Sequence, residues 1–124
     1  LTGVTLAITP SSTSSKVWIQ GHLNWARPTN NSHRFRLLRD STVINDTTIN
    51  ADDSFHSSGV NQGYSVLRTA PISFIDSPTI PATPVAITYK IMAKVDAGTL
   101  YINRIGAGTD MAGTSSINLI EVLA

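Results

Sequence analysis

Two stretches of the chain alternate apolar and polar residues without a break, and a period of two is the signature of a half-buried strand, not of a helix. Between Lys16 and Trp25, Val17, Ile19, Gly21, Leu23 and Trp25 fall on one face and Lys16, Trp18, Gln20, His22 and Asn24 on the other. The second stretch sets Val85, Ile87, Tyr89, Ile91, Ala93 and Val95 against Ala86, Thr88, Lys90, Met92 and Lys94. Further strands are expected at Val4–Thr9, at His33–Asp40 running on through Thr42–Ile44, and at Val66–Arg68, Ile72–Ile75, Thr99–Arg104 and Ser115–Val122. No segment sustains a helical period. Pro10, Pro28, Pro71, Pro78, Pro81 and Pro84 fall where turns are expected.

These strands, about eight in number and joined by short polar turns, predict an all-β fold: an antiparallel β-sandwich, jelly-roll-like. The 124 residues suit one domain, 1–124, with a modest core. Asp96-Ala97-Gly98 reads as a tight hairpin in which Gly98 is free to take a positive φ. The proline-rich connection Asp76–Pro84 is expected to cross between sheets. The polar stretch Asn45–Gly63 exceeds ordinary loop lengths, so it is read as a functional loop or an edge excursion.

Several strands are apolar on both faces. In Ser115–Val122, Ile117 and Leu119 point one way and Ile120 and Val122 the other, while Trp18, Leu38 and Met92 interrupt polar faces in theirs. Outward apolar surface on a small domain marks a protein interface. A bulge returning all four residues of the last strand to one core is the alternative.

Composition narrows the chemistry. Nine Lys and Arg against eight Asp and Glu leave a net charge of +1, too little for strong counterion-release binding, so no nucleic-acid partner is expected. Without cysteine there is no disulfide, thiolate nucleophile or Cys-ligated zinc. No apolar run approaches the roughly 20 residues of a membrane span, and no membrane insertion is expected. The start at Leu1, without an initiator Met, is read as belonging to part of a longer protein.

No G-x-S-x-G elbow is present, and adjacent side chains such as those of Asp52 and Asp53 point to opposite faces in an extended chain, so they are not taken as an acid pair and no catalytic residue is assigned. Gly106-Ala107-Gly108 has Met111 where a dinucleotide fingerprint needs its third glycine, and no cofactor is expected. Asp52, Asp53 and His56 lack ligand spacing, and no metal site is assigned. Arg34 and Arg36 share a face and Arg39 takes the other, which suits pairing with carboxylates; a glycan or anion contact is the alternative there. Glu121, the only glutamate, is expected to pair with an arginine such as Arg36 or Arg104.

Five pieces in order carry a family resemblance: Ile8–Val17 (ITPSSTSSKV), Phe35–Thr42 (FRLLRDST), Ile72–Pro78 (ISFIDSP), Ile87–Ile91 (ITYKI) through Gly98–Arg104 (GTLYINR), and Thr114–Val122 (TSSINLIEV). Spread in order from Ile8 to Val122, they make the chain resemble the C-terminal receptor-binding domains of tail-fibre and related virion proteins of phages, especially those infecting cyanobacteria. The resemblance implies a compact, trimeric β-sandwich at the end of a fibre, acting outside the cell, with no catalytic residues. It implies binding to a host-surface glycan or protein, and contact with other virion proteins. Recognition is expected in loops Ala26–His33, Asn45–Gly63 and Ile105–Gly113, with Asn30, Asn31, His33, Asp52, Asp53, His56 and Asp110 as candidate contacts. Trp18, Tyr101, Ile120 and Val122 are the candidates for trimer contacts. Capsid decoration, binding only virion components, is the rival reading.

Overall fold

Around β2 (Lys16–Ala26) the second of two sheets is built, because its four odd-numbered apolar side chains, Val17, Ile19, Leu23 and Trp25, are all fully buried. The architecture comes from a computed structural model that describes residues 4–26, 33–44, 56–58, 67–95, 97–105 and 112–123, with backbone only for 56–58. The other strands are β1 (Thr5–Ile8), β3 (His33–Arg39), β4 (Thr42–Val43), β5 (His56–Ser58), β6 (Arg68–Asp76), β7 (Ile87–Val95), β8 (Tyr101–Ile102) and β9 (Ser116–Val122). No helix occurs among the described residues.

Every pairing is antiparallel. In the first sheet β7 lies between β1 and β3, and β4 and β5 pair with opposite ends of β3. In the second, β6 flanks β2 on one side, while β9 and β8 share its other side, β9 against Lys16–His22 and β8 against Trp25 and Ala26. The sheets close over one core that joins Ile19, Leu23, Trp25 and Ile72 to Phe35, Leu37, Tyr89 and Ile91. The chain is thus a β-sandwich, as the alternation predicts.

Four local expectations are corrected. The run His33–Ile44 is not one strand, because the chain folds back at Asp40, whose φ of 52° is left-handed, so β4 returns on β3 with Arg39 opposite Thr42. Aspartate tolerates that conformation. Asp40 is also held there by β7: its N–H donates to the Thr88 carbonyl at 2.7 Å, and the Thr88 N–H donates to Oδ1 at 3.0 Å. Conversely, the pieces expected on either side of Pro71 form a single strand. Among the described residues β6 is an edge strand bonded only to β2, and an edge has one side on which a missing N–H costs nothing.

The segment read as a hairpin at Asp96–Gly98 does not make one. Gly98 takes the expected positive φ, 77°, but β7 belongs to the first sheet and β8 to the second, so the chain crosses the sandwich there; Asp96 itself lies outside the described residues. β8 is also shorter than expected, ending before Asn103, whose φ is 61°. The connection after Asp76 does cross between sheets as expected, with Ile80 buried beneath it. Val85 stands exposed ahead of β7.

Candidate functional site

Two polar ties fix the sandwich at the end where β2 begins. Arg39 on β3 and Tyr89 on β7 are cross-strand partners in the first sheet, and both reach Asp76 at the end of β6 in the second. Arg39 Nη1 lies 2.9 Å from each carboxylate oxygen, and the Tyr89 hydroxyl donates to Oδ2 at 2.8 Å. Burial, reinforced by the hydrogen bond to Asp76, pushes the Tyr89 hydroxyl well above the ordinary tyrosine range. These residues tie the two sheets together through the Asp76 carboxylate.

Glu121 makes the second tie, and not the expected one with Arg36 or Arg104. Alternation along β9 turns it inward beside Val17, where the serine-rich turn before β2 meets it. It accepts from the Ser11 N–H at 2.6 Å, the Ser11 hydroxyl at 2.9 Å and the Ser15 hydroxyl at 2.6 Å. The Ser15 bond, followed by that from the Ser11 backbone, holds the Glu121 carboxyl below the usual carboxylate range.

The outer face of the second sheet divides in two. Toward the C-terminal end of β2 it is polar: His22 Nε2 and Asn24 Nδ2 each lie 2.7 Å from the Thr114 carbonyl oxygen, and the Thr69 hydroxyl donates to Asn24 Oδ1 at 2.7 Å. Toward the N-terminal end it is apolar. Trp18 sits between its cross-strand neighbours Ile75 on β6 and Ile120 on β9, with Val122 one step along the same face. Ile75 and Ile120 are 58% and 42% exposed, and Val122 and Leu123 are exposed as well. Trp18 is half-buried and its indole N–H donates to the Ser73 hydroxyl at 3.3 Å, leaving the ring as the centre of the row.

Ile120 and Val122 point outward because β9 keeps unbroken register with β2 from Lys16↔Val122 to His22↔Ser116, so the bulge alternative is not the one adopted. Tyr101 does not join them. It pairs with Ala26, eight residues from Trp18 along β2 and therefore about 26 Å away at a strand's rise. Its ring instead carries the Arg104 guanidinium, 5.2 Å from the centroid. Ile75 was missed, although the inward pair Ile72 and Phe74 already implied that it faces out.

Among the loop candidates, His33 is corrected. It opens β3, is 1% exposed and stacks on Trp25 with ring centroids 3.9 Å apart, so it is a core residue and not a contact for an external ligand. His56 is placed by its backbone in β5, opposite Phe35. Asn30, Asn31, Asp52, Asp53 and Asp110 lie outside the described residues, as do most of the three candidate loops. No family model matches the chain, and no curated protein is similar to it in sequence.

Proposed function

We propose that this chain is the receptor-binding tip of a viral fibre, a non-enzymatic homotrimer that attaches the virion to the host cell surface. The observation that carries the reading is the outward apolar row Ile75–Trp18–Ile120, extended by Val122. A small domain gains nothing from holding four large apolar side chains side by side in water, and a patch of this kind marks an interface. Such a row supports self-association. The resemblance of five ordered segments to phage fibre domains supplies the threefold assembly and the virion setting.

A trimer also suits recognition through loops, because three weak contacts on one axis gain avidity without any new contact being made. Gold-labelled antibody against the chain, applied to intact virions, is expected to mark the ends of fibres in few copies. Label spread over the capsid lattice would contradict the proposal and favour a cement protein using the same apolar row. Release of reducing ends from host polysaccharide by the purified chain would contradict its non-enzymatic character.

A further inference from the structure

Along β7 the inward side chains are buried at Ile87, Tyr89 and Ile91 but only half-buried at Ala93 and Val95, so cover runs out before the strand does. On one side the reason is β1, which pairs with β7 from Ile87 to Lys90 and accepts one further bond, the Ile91 N–H donating to the Val4 carbonyl at 3.0 Å. In an antiparallel ladder the backbone groups of alternate residues point to the same side. Those of Ala93 and Val95 therefore point where those of Ile91 do, to an edge at which, among the described residues, no strand pairs with them. Beside this edge the chain's crossing to β8 leaves an open notch of about 330 Å³, lined by Ala93, Val95, Gly98, Thr99, Leu100 and Ile102.

We infer that this edge and notch take an extended segment of another protein as an added strand, in line with β1 and antiparallel to β7. Three features define the segment. The N–H and carbonyl groups of Ala93 and Val95 recur two residues apart, about 7 Å, which is the spacing of a peptide in a ladder. Segment residues opposite Ala93 and Val95 face inward, where Leu100 and Ile102 give them an apolar seat, so both are apolar and the one opposite the small Ala93 is large. The residue between them stands opposite Lys94 on the outer face, in a non-hydrogen-bonded pair where side chains come closest. Lys94 is exposed and forms no ion pair among the described residues, and opposite charges facing each other across strands attract, so that residue is acidic.

The chain itself does not supply such a segment. Its own triplet of a large apolar residue, an acid and a second large apolar residue, Ile120-Glu121-Val122, is already placed in β9, with Glu121 held by Ser11 and Ser15. A sugar fits less well, because no aromatic ring lines the notch for it to stack on. The notch also stays clear of the apolar row. Ile102 pairs with Trp25, seven residues from Trp18 along β2 and so about 23 Å away, and copies joined through the row leave the notch accessible.

The inference rests on the receptor-binding reading only for the source of the segment, a host-surface protein, and the test separates the two. A blocked peptide with leucine–glutamate–leucine between serine and threonine flanks is titrated into the isotope-labelled chain, and the amide signals are followed by nuclear magnetic resonance. Saturable shifts are expected at Ala93, Val95, Gly98 and Leu100, with the Ala93 and Val95 amides exchanging more slowly once the peptide is bound. N-methylation of the two leucines removes the N–H groups that face β7 and should abolish binding. Lys94→Glu, at an exposed position, should weaken binding about fivefold, and a peptide with lysine in place of glutamate should regain it. Lys16→Glu, the same charge change on the other sheet, should leave binding unaltered.

Absence of saturable shifts along β7, an N-methylated peptide that binds equally well, or chitotriose shifting the same signals as strongly overturns the inference. Gold label spread over the capsid, together with peptide binding at the notch, keeps the site and removes the host as its source. Label at fibre ends, with β7 signals that the peptide leaves unmoved, removes the site alone.

Discussion

Asp76 meets both Arg39 and Tyr89 of the facing sheet with one carboxylate. Replacing it by Asn removes the charge that Arg39 and Tyr89 both address, and Asp76→Asn is expected to cost about 2–3 kcal/mol in urea unfolding at neutral pH. Tyr89→Phe, which leaves the Arg39 contact intact, should cost about 1 kcal/mol. The raised Tyr89 pKa gives the alkaline limb its sign. Above the ordinary value of 10.0 the unfolded chain loses this proton while the folded protein keeps it, so stability falls as pH rises beyond that point. Tyr89→Phe should flatten that fall.

Glu121 sets the opposite limb. Its folded pKa lies below the ordinary value, so its contribution is full above that value and is lost as pH falls through the folded one. Unfolding midpoints compared at pH 7 and pH 3 should converge in Glu121→Gln relative to the parent protein. The register of the last strand puts Glu121 on the inward face with Ile117 and Leu119. The donors it meets were not legible, because they belong to a turn more than a hundred residues away, and expectation supplied an arginine where the fold supplies serines.

At the scale of elements, β2 was legible in full because burial on one side and water on the other leave a strict alternation to read. The pattern is silent where a backbone does something a side chain does not record. Asp40 turns the chain back within what reads as one extended run, and Pro71 sits within a strand because that strand is an edge. Gly21 is a third case. In the alternation it merely occupies an inward position, yet a Cβ added there would lie 2.1 Å from the Ser116 carbonyl oxygen of β9. The two backbones must part to admit it. Gly21→Ala should therefore destabilise by about 3 kcal/mol or more, visible as a lowered thermal midpoint and loss of soluble protein.

At the scale of the whole molecule, the sandwich presents two unlike outer faces, one bearing an apolar row and the other carrying Arg34, Arg36, Lys90 and Lys94. Three of the row's members could be placed from the sequence, Trp18 because it interrupts a polar face, and Ile120 and Val122 because their strand is apolar on both sides. Tyr101 was misplaced with them because adjacency in a sheet depends on register, and β8 pairs with the far end of β2. His33 was misplaced because a polar residue beside a loop reads as a contact, whereas the aromatic pair Trp25 and Phe35 gives its ring an apolar seat.

If the apolar row is the contact between copies, a charge within it should separate them without unfolding any. Ile120 is 42% exposed in the single chain, so Ile120→Lys leaves the core intact. Sedimentation velocity of the chain at micromolar concentration measures this directly. The expected result is a homotrimer that Ile120→Lys converts to a folded monomer; a parent chain that sediments as a monomer, or a trimer that the substitution leaves whole, would contradict it.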